Sequence, residues 1–160
     1  GWAESYVERA ADYGVLSGLT SGYQSAITRG EFAQLAVNAA EILTGEYHYG
    51  SVSDRAESLG LMFGDGKGNF RLNDSLTRQE AAVICTRLMR LAGAAPETDM
   101  RVLSDYGDAA EIAGWAKDGV GIMTQMGLMG GTGKGFSPKA TITTEQAITL
   151  FVRVYEKTIY

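Results

Sequence analysis

One helical phrase occurs three times in this chain, and that recurrence limits the fold more than any other feature. It reads ITRGEFAQLAVNAA from Ile27 to Ala40, LTRQEAAVICTRLM from Leu76 to Met89 and ITTEQAITLFVRVY from Ile142 to Tyr155. Each copy sets a threonine (Thr28, Thr77, Thr143) three residues ahead of Glu31, Glu80 or Gln146. That spacing is a capping box: the hydroxyl accepts an N3 amide, and the N3 side chain returns to the N-cap amide. Behind the boxes, Phe32, Leu35, Ala36 and Ala39 align with Ala81, Ile84, Cys85 and Leu88, and with Ala147, Leu150, Phe151 and Val154. An i, i+3, i+4, i+7 pattern makes one buried stripe per helix. The three helices are expected to share one core and to end near Thr44-Gly45, near Ala92-Gly93 and at the C-terminus.

The segments before the boxes repeat as well. GWAESYVERAADYGVLSG (1–18) matches GWAKDGVGIMTQMGLMGG (114–131), with Trp2 over Trp115, Val7 over Val120, Gly14 over Gly127 and Gly18 over Gly131. The middle copy keeps AESLGLMFG (56–64), so its first helix is expected to be cut to one or two turns from near Asp54. Glycine-rich loops, DGKGNFRLNDSL (65–76) and GTGKGFSPKATI (131–142), turn the chain into the capped helices.

The helix opening WA, the Gly-hydrophobic-hydrophobic-x-Gly turn, the GDGKGNFRLND loop, the TRxE-capped helix and the short SVSD and VLSD openings together resemble the S-layer homology repeat. The resemblance covers almost the whole chain as one domain (1–160) of three degenerate repeats, 1–45, 51–93 and 102–157. It implies a mainly α, pseudo-threefold bundle with a central three-helix core. It further implies non-covalent anchoring of a larger bacterial surface protein to an acidic, pyruvylated secondary cell-wall polysaccharide in the grooves between repeats. The TRxE arginine would meet the acidic group, and the module would lie outside the cell, at the wall.

Composition agrees with a globular chain. Of the 160 residues, 45% are apolar and 21% charged. No apolar run approaches the roughly 18–20 residues of a membrane span. The chain opens abruptly within what reads as a helix, as expected for part of a longer protein. A net charge of −5 without a basic run argues against nucleic acid. The same charge works against an anionic polymer at long range, so binding must rest on local arginines.

Arg29 and Arg78 occupy the first turn, where the helix dipole disfavours a cation. Their i+4 neighbours are Ala33 and Ala82, so no carboxylate partner lies on the same helix. They are either solvated, or bridge to a neighbouring repeat, or grip an anion beside free helix amides. The third copy carries Thr144 instead, with Lys134 or Lys139 as substitutes. Trp2 and Trp115 read first as core anchors and second as sugar platforms. Gly18, Gly64 and Gly131 serve turns and admit a ligand close to the backbone. The polysaccharide site that the resemblance implies is then Arg29, Arg78, Trp2, Trp115, Gly18, Gly64, Gly131 and Lys134.

No cofactor, metal or catalytic set is expected. The loop from Asp65 has Phe70 and Leu76 where an EF-hand needs Gly and Glu. With one Cys and one His (His48) there is no ligand cluster. Cys85 falls on the apolar stripe and reads as an unreactive core residue. The alternative function is a degenerate module for protein–protein contact or spacing.

Overall fold

The computed structural model describes residues 2–15, 24–64, 67, 69–131 and 133–159, the first three by backbone alone. Gly18, the side chain of Trp2, and Asp65, Gly66 and Gly68 of the loop weighed for calcium lie outside the described residues. The described chain forms α1 (Trp2–Asp12), α2 (Arg29–Thr44), α3 (Val52–Ser58), α4 (Arg78–Leu91), α5 (Lys117–Gln125) and α6 (Thr144–Ile159). Three short 3-10 turns, Met100–Asp105, Ala109–Glu111 and Gly114–Ala116, lead into α5. The mainly α fold is as expected.

All three capping boxes close. Thr28, Thr77 and Thr143 accept the N3 amides at 3.1, 3.3 and 3.1 Å, and Glu31, Glu80 and Gln146 return to the N-cap amides at 3.2, 3.2 and 3.0 Å. The shortened helix α3 starts at Val52, two residues ahead of the expected Asp54, because Ser51 caps it by accepting the Asp54 amide at 3.2 Å.

The short helices end identically. Gly14, Gly60 and Gly127 take left-handed φ of 80, 72 and 69°. Each donates its N–H to the carbonyl three residues back, and the next residue, Val15, Leu61 or Leu128, donates to the carbonyl five residues back. This is the Schellman motif, in which only glycine takes the left-handed turn without strain. The apolar residue after it is buried in every copy.

Packing runs across the repeats. Helices α2, α4 and α6 touch one another pairwise, while α3 rests on α2, α5 on α4 and α1 on α6. Each short helix thus covers the capped helix of the preceding repeat, and the first covers the last. Consequently the capped helices bury a second stripe beyond the expected one, including Val37, Met89 and Val152. Every expected stripe residue is buried, and the Phe32 and Phe151 rings meet at 4.7 Å. Cys85 is fully buried, and loss of solvation pushes its thiol far above the ordinary range.

The segments entering the capped helices are tied in a ring. Ile27 donates its N–H to Ile142 O (2.9 Å), Ile142 to Leu76 O (3.3 Å), and Leu76 to Ile27 O (3.2 Å). Three buried residues at matching positions thereby satisfy one another's backbone groups.

Where α4 and α5 cross, Gly119 lies so close that a Cβ there would fall 2.9 Å from Val83 Cα. Gly119→Ala must push the helices apart and is expected to destabilise by about 1–3 kcal/mol. Chemical denaturation reads this, and an unchanged midpoint would show that the crossing gives way freely.

Candidate functional site

The capped helices place their N1 residues, Arg29, Arg78 and Thr144, at the three junctions between repeats. Their N-terminal amides are already occupied. Arg29 N and Gly30 N donate to Asp74 O and Leu72 O at 2.8 Å each, Arg78 N and Gln79 N donate to Ala140 O and Pro138 O at 2.8 and 3.0 Å, and Thr144 N donates to Ser25 O at 2.9 Å. The N3 amide is held within the box. The expectation of free helix amides beside the arginine is therefore corrected: the loop of the neighbouring repeat satisfies them.

The side chains follow the same route across the junction but meet different partners. Arg29 Nε donates to Phe70 O at 2.9 Å, and its Nη1 donates to Glu80 Oε2. Arg29 is 8% exposed. Of the readings for this residue, the bridge between repeats is the one the geometry displays. Arg78 Nε donates to Phe136 O at 2.8 Å and Nη2 to Gly130 O at 2.7 Å, with its guanidinium 4.8 Å from the Phe136 ring centroid. Among the described residues no carboxylate pairs with Arg78. Loss of solvation lowers its pKa, against the favourable fields of Tyr106 and Asp108.

Two grooves open beside these arginines. The α6 groove, about 240 Å³, is lined by Arg78, Gly131, Gln146 and Arg153 over an apolar floor including Leu128 and Leu150, with no carboxylate among its described lining residues. The α4 groove, about 180 Å³, is lined by Arg29, Glu80 and Arg87 with Phe63 and Trp115 as aromatic walls. Arg87 and Arg153 each stand seven residues after the box residue, on the same helix face. Arg87 Nη1 donates to Leu61 O at 3.2 Å. At the matching place in α2, Asn38 Nδ2 donates to Val15 O at 2.9 Å.

The model of the S-layer homology domain matches residues 54–82 and 105–148, which include the entries to both grooves. Over these two segments the chain is similar to the S-layer homology domain. It is 28% identical to exoglucanase XynX of Acetivibrio thermocellus, 27% to an amylopullulanase of Thermoanaerobacterium thermosulfurigenes and 29% to the surface-layer 125 kDa protein of Lysinibacillus sphaericus. Each alignment covers 98% of this chain but only 16%, 9% and 14% of the relative. The chain therefore spans a small part of the length of these proteins.

Within the chain, the sequence-derived candidates scatter. Arg78 and Gly131 line the α6 groove; Arg29 and Trp115 line the α4 groove. Trp115 is 62% exposed, which corrects its expected role as a core anchor. Its neighbours Ala116, Val120 and Met123 form the buried face of this segment, so Trp115 is turned outward. Lys134 and Lys139 are exposed and line neither groove. A Cβ on Gly64 would lie 3.0 Å from Asn69 O, and one on Gly131 3.3 Å from Gly135 O, so both glycines fit close turns. Arg87 and Arg153 were missed, although both occupy one position of the aligned phrase, where the first copy has Asn38.

The Arg78 anchor is set by Asp108, whose Oδ1 and Oδ2 accept Phe136 N and Ser137 N at 2.8 Å each. Burial alone would raise this carboxyl; the two backbone donors and the Arg78 charge outweigh it and hold it below its ordinary value. A carboxyl lowered in the folded state adds stability above its unfolded pKa, about 3.9, and loses it as pH falls through the folded value. Asp108→Asn should therefore flatten acid destabilisation below about pH 4. Thermal unfolding across pH tests this, and parallel profiles for the two proteins would remove Asp108 from that role.

Proposed function

We propose that the module anchors a larger bacterial surface protein non-covalently to the cell wall by holding an acidic, pyruvylated secondary cell-wall polysaccharide in the α6 groove. The observation that carries this reading is the pair Arg78 and Arg153 in a groove whose described lining has no carboxylate. Arg78 is fixed by two carbonyls and a ring, so it meets a ligand already oriented. Gly131 lets a sugar approach the backbone, and Leu128 and Leu150 offer it an apolar floor. The α4 groove holds the other candidates, Arg29 and Trp115, with Glu80 beside them. The site needs no cofactor or metal, and the module does no catalysis; enzyme activity in the relatives would reside in the rest of their much longer chains.

The module places its protein at the bacterial surface, outside the membrane. No helix of the described residues is long and apolar enough to cross one. The chain functions as one domain of three repeats, 1–45, 51–93 and 102–157.

Sedimentation with purified wall sacculi tests the reading. The module is expected to pellet with native sacculi and to stay in solution once the secondary polymer has been extracted. Equal recovery with both preparations would refute polymer binding and leave protein contact as the function.

A further inference from the structure

We infer that the third residue of the capping box decides which groove can take an acidic sugar: Gln146 leaves the α6 groove open to an anion, whereas Glu80 fills the α4 groove with the protein's own carboxylate. This rests on the wall-anchoring reading above.

The argument lies in the second atom of each box side chain. Glu80 closes its cap with Oε1, which accepts Thr77 N and Thr77 Oγ1 at 3.2 and 2.9 Å. Its Oε2 remains for Arg29 of the preceding repeat, and takes it. Gln146 closes its cap in the same way, with Oε1 accepting Thr143 N at 3.0 Å. Its second atom is an amide nitrogen, which donates and so cannot accept from Arg78. Arg78 accordingly turns to main-chain carbonyls, which carry no charge, and neither guanidinium group of its groove forms an ion pair among the described residues. The third junction supplies the remaining case. Glu31 Oε1 accepts Thr28 N at 3.2 Å, but its buried Oε2 has no hydrogen-bond partner, because Thr144 stands where an arginine would reach it.

An anion entering the α4 groove must therefore displace Glu80 from Arg29 or bind beside a like charge, and both oppose binding. Otherwise that groove is well equipped, with Arg87, Phe63 and Trp115 around it. A single change from carboxylate to amide should open it, and Gln146 shows that an amide suffices for the cap.

The test is calorimetric titration of the whole chain with a pyruvyl-ketal N-acetylhexosamine methyl glycoside, with circular dichroism to confirm folding. Wild type is expected to bind one probe per chain, and Arg78→Ala roughly ten- to a hundredfold more weakly. Glu80→Gln is expected to bind two. Gln146→Glu should stay folded and bind roughly ten- to a hundredfold more weakly, the loss of one charge-assisted contact. If wild type binds through Arg78 while Gln146→Glu binds equally well, or a folded Glu80→Gln still takes one probe, the inference is overturned and the anchoring reading stands. If wild type takes up no probe, or its uptake ignores Arg78→Ala, both are overturned.

Discussion

Arg29→Ala is expected to lower the stability of the module by about 2–4 kcal/mol, the largest folding effect of any groove residue. Arg29 is nearly enclosed and pairs with Glu80, whose side chain keeps 20% exposure. Truncation removes the pair and the bond to Phe70 O, and leaves a half-buried carboxylate without its cation. Removing one partner of a buried pair costs more than the pair itself is worth, since the remaining charge is uncompensated. The estimate lies somewhat below a fully enclosed case because water still reaches Glu80. Combining Arg29→Ala with Glu80→Gln should then recover part of the loss, by removing that charge while preserving the cap. Urea denaturation of the two variants measures both values. A wild-type midpoint for Arg29→Ala would mean that the bridge between the first two repeats adds nothing, and a double variant no better than the single would locate the damage in the lost Phe70 contact.

The contrast between Arg29 and Arg78 shows where sequence reading stops. The capping boxes, the buried stripes and the helix ends were legible because their rules are local: Thr28 and Glu31 are one turn apart, and Gly14, Gly60 and Gly127 sit directly behind their helices. Cys85 was legible because its neighbours on the stripe fix its face. The partner of an N1 arginine lies one repeat away, and depends on how the junctions pack. Identical TRxE phrases therefore gave no sign that Arg29 meets a carboxylate and Arg78 does not, although the cause, Glu80 against Gln146, was in plain view as a conservative cap substitution. The pairing of each short helix with the preceding repeat was hidden for the same reason. Trp115 failed differently. Burial habit favours a core tryptophan, but its segment enters α5 through a 3-10 turn whose buried face is Ala116, Val120 and Met123. Arg153 carries no local signal of its role, since the cap lies at the start of α6 and the groove runs two turns further along the helix.

Arg78→Ala is expected to weaken wall-polymer binding by roughly ten- to a hundredfold, the loss of a charge-assisted, oriented contact of about 1.5–3 kcal/mol. Folding should suffer far less than with Arg29→Ala. Arg78 is half-buried and donates to two main-chain carbonyls, one of them at an exposed site, so truncation forfeits hydrogen bonds from a charged donor but leaves no ion-paired carboxylate without its cation. Two of its five N–H donors are engaged in this way, which leaves the others for a ligand carboxylate. Arg78→Lys should restore only part of the affinity, because an ammonium cannot keep the Phe136 and Gly130 carbonyls and offer a fork to the anion together. Raising salt should weaken the wild type and leave the alanine variant less affected, since the screened charge is then missing. The measurement is polymer affinity beside thermal unfolding for wild type, Arg78→Ala and Arg78→Lys. Should Arg78→Ala bind like wild type, the α6 groove is not the anchor. Should it instead unfold as Arg29→Ala is expected to, then Arg78 is a bridge between repeats like its counterpart, and the difference between Glu80 and Gln146 has no bearing on binding.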